Sequence, residues 1–206
     1  KGLEELADVV GGFGLDGVLR KRSDRLFGIL NGIDYQEWDP ASDPALPAHY
    51  SSRAPAGKFL CRQALLRSFN FEAESKRPVV GLVSRLAGQK GFDLLVKSLD
   101  EILKRDLYLI ILGTGEKQIQ EMLSQAARKY PERFGLKIAF DDRLARLIYA
   151  GSDFFLIPSR YEPCGLTQMY SLRYGTIPVV RSTGGLKDSI QEFDPDRLEG
   201  NGFRFE

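Results

Sequence analysis

From residue 78 onward, short apolar runs alternate with longer segments whose apolar residues recur every three or four positions. The runs are typical of strands buried on both faces of a parallel sheet, and the longer segments have the periodicity of amphipathic helices. The runs predict strands at residues 79–84, 107–112, 136–140, 153–157, 177–180 and 203–206. The segments between them predict helices at residues 92–103, 116–130, 143–150, 165–174 and 186–191. This alternation predicts an α/β fold with a Rossmann-like parallel sheet, right-handed crossovers and helices on both faces.

The first 77 residues are less regular. Residues 25–30 predict a strand, and residues 39–57, which contain four prolines, predict a loop. Residues 59–71 have the spacing of an amphipathic helix. Because the chain ends at Glu206 in a segment that has the pattern of a strand, we expect it to be part of a longer protein.

Composition excludes several classes of function. A net charge of +1 over 206 residues supplies no broad attraction for nucleic acid or for a membrane surface. No apolar run approaches the roughly 20 residues of a membrane span, and residues 1–8 lack the apolar region of a signal peptide. Cys61 and Cys164 lie far apart and His49 is the only histidine, so the sequence predicts reduced thiols and no metal site. We expect a cytoplasmic protein with no nucleic-acid or membrane partner.

The candidate chemistry lies in loops that follow the predicted strands, which converge on one edge of a parallel sheet. Arg85 and Lys90 follow the first of these strands and stand on either side of a glycine. Two such cations can clamp a diphosphate and stabilise charge on a leaving phosphate, or they can form ordinary surface ion pairs. Gly113 and Gly115 allow close backbone approach to a nucleotide, or a tight strand–helix connection.

The loop at residues 158–168 carries one carboxylate, Glu162, and leads through Gly165 into a predicted helix. A carboxylate beside unpaired backbone N–H groups suits a polyhydroxylated or phosphorylated ligand. The alternative is an ordinary surface glutamate. Cys164 lacks an activating base and is not predicted to be a nucleophile.

Three further loop features have both a structural and a functional interpretation. Asp141 and Asp142 stand where one of them can cap a helix, and the functional alternative is catalysis by this carboxylate pair. Phe140, just before them, offers either a stacking face for a base or a core side chain. The glycines after Thr183 open the last predicted helix, whose N–H groups can face a phosphate.

Together these loops resemble the glycogen and starch synthase family of glycosyltransferases. The matching segments, in family order, are residues 28–34 with 38–40, 84–86 with 89–91, 158–168, and 174–180 with 183–186. The resemblance is to the carboxy-terminal half of a two-domain enzyme of the GT-B type. It implies that residues 25–206 form a nucleotide-sugar-binding domain and that residues 1–24 come from the end of the amino-terminal domain or the linker.

The resemblance implies a retaining transfer of glucose from ADP-glucose to the non-reducing end of an α-1,4-glucan, without a metal or other cofactor. Arg85 and Lys90 match the pair that holds the diphosphate and stabilises the departing nucleoside diphosphate, and Glu162 matches a glutamate beside the transferred glucose. The predicted substrate-binding residues are Asn31, Gly113, Gly115, Phe140, Cys164, Gly165, Leu166, Thr167 and Tyr170. Among them, Phe140 matches a ring that stacks on the base. Tyr170 stands where many related glycosyltransferases have a ribose-binding glutamate, and the glycogen and starch synthase group also has tyrosine there.

Other functions stay open on the sequence alone. They are another nucleotide-sugar glycosyltransferase or an epimerase of the same architecture, a non-catalytic nucleotide- or glucan-binding module, and a dehydrogenase-like domain. The last would need a three-glycine fingerprint that the sequence lacks. The lysine–glycine–glycine loop of the family's amino-terminal domain is not in this sequence. We therefore expect this chain to fold and to bind nucleotide weakly, but to need that domain as a partner to extend a glucan. A bacterial-type cytoplasmic enzyme, or a plastid one in a plant, is the expected setting.

Overall fold

A computed structural model describes residues 14–29 and 31–206 of the chain. In this described part a six-stranded sheet has the order β3-β2-β1-β4-β5-β6, and every neighbouring pair is parallel. The strands are β1 Val79–Val83, β2 Tyr108–Gly113, β3 Phe134–Ile138, β4 Phe154–Ile157, β5 Ile177–Arg181 and β6 Phe203–Phe205. This is the doubly wound order of Rossmann-like domains. The predicted α/β class is confirmed.

Seven α-helices and two short 3-10 turns lie in the same described part. The helices are α1 Asp16–Lys21, α2 Ala56–Ser68, α3 Phe92–Leu103, α4 Lys117–Lys129, α5 Asp142–Gly151, α6 Thr167–Arg173 and α7 Gly184–Ser189. The 3-10 turns are Ser23–Arg25 and Gly88–Lys90. All helices predicted from the apolar spacing are present, with ends that differ by up to three residues. None of these described helices is long and apolar enough to cross a bilayer.

The sheet separates two hydrophobic layers, and β2, between β3 and β1, is buried along its whole length. Its alternate residues Ile110 and Leu112 pack with α2 and α5 residues on one face. Leu109 and Ile111 pack with α3 and α4 residues on the other face. Helices therefore cover both faces, as the continuous apolar strands predicted.

Two predictions about element positions need correction. The strand expected at residues 25–30 is wrong for the described residues 25–29, because Ser23–Arg25 is a 3-10 turn and residues 26–29 have no regular structure. A strand needs a hydrogen-bonded neighbour, and Phe27 and Ile29 instead expose 84% and 91% of their surface. The third strand lies at Phe134–Ile138 and not at residues 136–140, because its first residue pairs with Leu109 of β2.

The helix predicted at residues 59–71 begins and ends three residues earlier. It starts directly after Pro55, whose fixed φ suits a helix start. It ends before Asn70, which has a φ of 58° in the left-handed region. Phe69 and Phe71 therefore lie beyond the helix.

The loop at residues 39–57 is irregular, as predicted, and one buried guanidinium holds the start of this region against the domain. Arg146 of α5 pairs with Asp43 at 3.3 Å and with Glu37 at 2.9 Å. Asp43 also accepts a hydrogen bond from the Tyr174 hydroxyl. The guanidinium lies 4.1 Å from the centre of the Trp38 ring. This cluster fixes Trp38 beside the carboxyl edge of the sheet.

Candidate active site

The strand order reverses between β1 and β4, and open α/β sheets bind ligands outside the carboxyl ends of the strands at such a point. The loops that follow these two strands lie against each other. Arg160 donates its backbone N–H to the carbonyl of Gln89 at 2.9 Å, and the Gln89 side chain donates to the carbonyl of Tyr161 at 3.1 Å. Gly91 has a φ of 75°, and a Cβ on it would lie 1.9 Å from the Pro158 carbonyl oxygen. The two loops therefore form one rigid surface.

A cation and a carboxylate meet across this surface. Lys90 Nζ lies 2.5 Å from Glu162 Oε2, and the two side chains are 19% and 13% exposed. The buried Ser159 hydroxyl donates to the same oxygen at 3.1 Å. The carboxylate thus has a defined orientation, which two partners set. Both Lys90 and Glu162 were candidate site residues, but the sequence did not predict their pairing or the part played by Ser159.

Two adjacent cavities open at this edge of the sheet and share the lining residues Val83, Ser84 and Arg85. The first chamber, of about 260 Å³, is lined also by Trp38, Leu112, Gly113, Thr114, Ala139, Phe140, Asp141, Asp142, Ala145 and Tyr149. The second chamber, of about 230 Å³, is lined also by Leu82, Lys90, Phe155, Leu156, Ile157, Pro158, Ser159, Glu162 and Thr167. Arg85 is exposed and forms no ion pair with a described residue. Arg85 therefore contributes to the lining of a mostly apolar chamber and of a charged one.

Phe140 exposes 93% of its surface and lines the first chamber. The alternative of a core side chain is therefore wrong, and stacking of a base on this ring stays a prediction. Asp141 next to it caps α5, since its Oδ1 accepts the Leu144 N–H at 2.9 Å, as the capping interpretation predicted. Asp142 forms an ion pair with Arg146 at 3.0 Å.

The two glycines after β2 have a packing reason. A Cβ on Gly113 would lie 2.0 Å from the Ser84 carbonyl oxygen, and one on Gly115 would lie 2.3 Å from that of Leu86. This supports the tight-connection interpretation for both residues. Of the two, Gly113 also lines the first chamber.

The turn after Glu162 is held by α7. The Gly185 N–H donates to the Glu162 carbonyl at 2.9 Å, so this N–H is not free to face a phosphate, contrary to one expectation for the start of α7. Gly165 has a φ of 73°, which lets the chain turn between Cys164 and Leu166 into α6. Thr167, the first residue of α6, lines the second chamber.

Six predicted site residues line neither chamber, and they are Asn31, Gly115, Cys164, Gly165, Leu166 and Tyr170. Asn31 lines a third cavity of about 720 Å³ together with Asp39 and Arg173. Tyr170 stacks on Trp38, with ring centres 3.7 Å apart and planes at 15°. Burial, and after it the charge of Glu37, raise the pKa of Tyr170. Tyr170 therefore supports the Trp38 wall of the first chamber from behind.

Trp38 itself was not singled out as a site residue. It is the only tryptophan of the chain and belongs to one of the segments that carried the family resemblance, which was the available signal. His49 has a structural contact instead, with Nε2 3.0 Å from the Asp43 carbonyl oxygen. Within residues 14–29 and 31–206, no three His, Cys, Asp or Glu side chains are grouped so as to hold a metal ion.

Comparison with known proteins adds a family and several relatives. The profile of the glycosyl transferases group 1 matches residues 67–206. A glycogen synthase from Anaeromyxobacter sp. (strain Fw109-5) is 52% identical over 201 residues, which are 98% of this chain and 42% of that protein. Glycogen synthase 1 of Geobacter sulfurreducens is 50% identical over 194 residues, which are 94% of this chain and 39% of that protein.

Among solved structures, the catalytic domain of starch synthase IV from Arabidopsis thaliana, bound to ADP and acarbose, has a TM-score of 0.92. It is 38% identical, and the match covers 99% of this chain and 43% of that one. This likeness supports assignment of the sheet to the carboxy-terminal half of a GT-B glycosyltransferase. The chain spans about two fifths of the length of the curated relatives it matches.

Proposed function

This chain belongs to the group 1 glycosyl transferases, and on that premise we propose that it is the donor-binding domain of a retaining glycogen or starch synthase. The whole protein would transfer glucose from ADP-glucose to the non-reducing end of an α-1,4-glucan. The amino-terminal domain, which would supply the facing wall of the cleft, and the cytoplasmic setting are parts of the same proposal. The relatives' names and their sequence identity to this chain support the proposal.

The observation that carries the proposal is that Arg85 lines both chambers. The first chamber is mostly apolar and its lining includes the exposed ring of Phe140, which suits a nucleobase. The lining of the second chamber includes Lys90 and Glu162. A nucleoside diphosphate sugar has the same order of parts: an aromatic base, an anionic diphosphate and a hydroxyl-rich sugar.

The chemistry follows from these charges. As the bond between glucose C1 and the diphosphate oxygen breaks, negative charge builds up on the departing nucleoside diphosphate. In the proposed reaction Arg85 and Lys90 stabilise that charge, and preorganised groups of this kind are a large source of catalysis. Glu162, held by Lys90 and Ser159, presents a carboxylate that can accept hydrogen bonds from glucose hydroxyls. The proposed reaction needs no metal or other cofactor, since the two side-chain cations supply the positive charge.

Calorimetric titration of this chain with ADP and ADP-glucose tests the proposal. Arg85→Ala and Lys90→Ala should each weaken binding by about tenfold or more, because each removes a charge-assisted contact to the diphosphate. Lys104→Ala is the matched control, since its side chain is 66% exposed and pairs only with its helix neighbour Glu101 among the described residues. A folded chain that binds neither ligand at millimolar concentration would contradict the proposal. Turnover of the full-length protein with ADP-glucose or UDP-glucose and a glucan acceptor would then test the reaction itself.

A further inference from the structure

A chain of hydrogen bonds runs from Glu162 through α7 and α6 and back to the turn that follows Glu162. The Glu162 carbonyl accepts the Gly185 N–H at 2.9 Å, and the Gly185 carbonyl accepts the Ser189 hydroxyl at 2.6 Å. Ser189 Oγ in turn accepts a hydrogen bond from Gln168 Nε2 at 3.1 Å. Gln168 Nε2 also donates to the Cys164 carbonyl at 3.0 Å. The peptide units of Glu162 and Cys164 are thus tied into one closed ring.

The direction of each hydrogen bond in this ring is determined. Because the single proton of Ser189 goes to the Gly185 carbonyl, its oxygen can only accept from Gln168. The Cys164 carbonyl can also only accept. The NH₂ group of the amide must therefore face both partners, and the amide oxygen must point away from them.

Gln168 is fully buried, and its Oε1 accepts no hydrogen bond from any described residue. A buried acceptor without a partner costs stability, so the two N–H donations must determine how this side chain is held. The oxygen lies under the turn, where a Cβ on Gly165 would approach it to 2.5 Å. On the other side, a Cβ on Gly185 would lie 2.3 Å from the Cys164 carbonyl oxygen. The turn is therefore enclosed by Gln168 below and by α7 beside it.

We propose that Gln168, acting through Ser189, is a positioning residue that sets the place of Glu162 in the second chamber and of the Cys164–Leu166 backbone that joins Glu162 to Thr167 of the same chamber. This rests on the proposed function, in which the second chamber receives the sugar. Gln168 lines neither chamber, so it acts through the turn and does not touch the ligand. Loss of Gln168 should lower the affinity for ligands that reach Glu162. It should leave unchanged the affinity for ligands that contact only the first chamber and Arg85.

The experiment compares ADP-glucose with AMP, which lacks the glucosyl group and the phosphate that carries it, by calorimetry on this chain. Gln168→Leu removes both N–H donations. Ser189→Ala removes the links from the Ser189 hydroxyl to Gly185 and to Gln168, and leaves the hydrogen bond from Gln168 to the Cys164 carbonyl. Each variant should lower the affinity for ADP-glucose by about five- to tenfold and the affinity for AMP by less than about twofold. Ser189→Thr keeps the hydroxyl and should restore the affinity for ADP-glucose. Since Ser189 is only half-buried, its variants keep the test available if Gln168→Leu does not fold.

Amide hydrogen exchange supplies a readout that needs no ligand. Both variants should speed exchange at Gly185 and in residues 164–166, while α3, which no described hydrogen bond joins to the ring, should keep its protection. Unchanged exchange at these amides would overturn the inference, as would equal losses of AMP and ADP-glucose affinity. A wild-type chain that binds no ADP-glucose, with exchange that responds as expected, would instead contradict the proposed function and leave the positioning role standing.

Discussion

Lys90 Nζ and Glu162 Oε2 lie 2.5 Å apart, although their residues are 72 positions apart in the chain. The contact joins the loop after β1 to the loop after β4. It also means that Lys90 shares its charge between a carboxylate and any anion bound in the second chamber. A change in the affinity for ADP when the carboxylate is removed would measure how strongly the two partners compete for Lys90.

Glu162→Gln should bind ADP about two- to fivefold more tightly than the wild-type chain does. The substitution removes a negative charge near the diphosphate and frees Lys90 from its ion pair. Calorimetry at constant ionic strength measures the change, and Glu121→Gln, at a side chain that is 62% exposed on α4, is the control. Weaker ADP binding by Glu162→Gln would show that Lys90 does not face the phosphates.

Phe140→Ala should lower the affinity for ADP by about fivefold or more, because stacking of a base on an aromatic ring contributes about 1–3 kcal/mol. Its ring is 93% exposed, so the free energy of unfolding should change by no more than about 0.5 kcal/mol. Phe27→Ala is the matched control, since that ring is 84% exposed and lines neither chamber. Equal ADP affinity in wild type and Phe140→Ala would exclude the ring from base binding.

Gly91→Ala should destabilise the domain by about 2–4 kcal/mol, because it combines an unfavourable positive φ with a collision against the Pro158 carbonyl. Urea denaturation gives the free energy of unfolding. Gly88→Ala, three residues earlier, meets no atom within 4 Å and should stay within about 0.5 kcal/mol of wild type. If the two variants were equally stable, the close contact between the β1 and β4 loops would be refuted.

Lys58 makes one part of the stability depend on pH. Its ammonium donates to the carbonyls of Ala150 and Tyr174 and to the Thr176 hydroxyl, at 2.9, 3.1 and 2.8 Å. Burial lowers the pKa of Lys58 from 10.5 to about 8, although the nearby charge of Asp153 opposes this.

Between pH 8 and 10.5 the unfolded chain therefore binds more protons at Lys58 than the native chain does. Stability rises with pH wherever the unfolded state binds more protons. The free energy of unfolding of wild type, minus that of Lys58→Met, should accordingly increase between about pH 7.5 and about pH 9.5. Urea denaturation of both proteins at the two pH values measures this difference. A constant or falling difference would mean that Lys58 keeps an ordinary pKa.

The sequence predicted the elements that depend on short-range patterns. The continuous apolar run of β2 is typical of a strand that is buried on both faces. The apolar residues of α3 and α4 recur with the helical period, because one side of each helix is buried. The expectation that Arg85, Lys90 and Glu162 share one edge also followed from topology, since parallel strands bring their carboxyl ends together.

Residues 25–29 show the limit of such patterns. Their apolar character resembles that of a strand, but a strand forms only where a neighbouring strand accepts its hydrogen bonds, and this is not a local property. Trp38 likewise is oriented by Arg146, which is more than a hundred positions away. Sequence spacing does not encode contacts of this kind.

By itself, the sequence determined the class of the fold, the position of each loop that can carry chemistry, and the residue types available there. The tertiary structure decided which of those residues meet. Lys90 forms an ion pair with Glu162, Arg85 lines both chambers, and Tyr170 stacks on Trp38. The physical reason is the strand order, which makes β1 and β4 neighbours although two strands and three helices separate them along the chain.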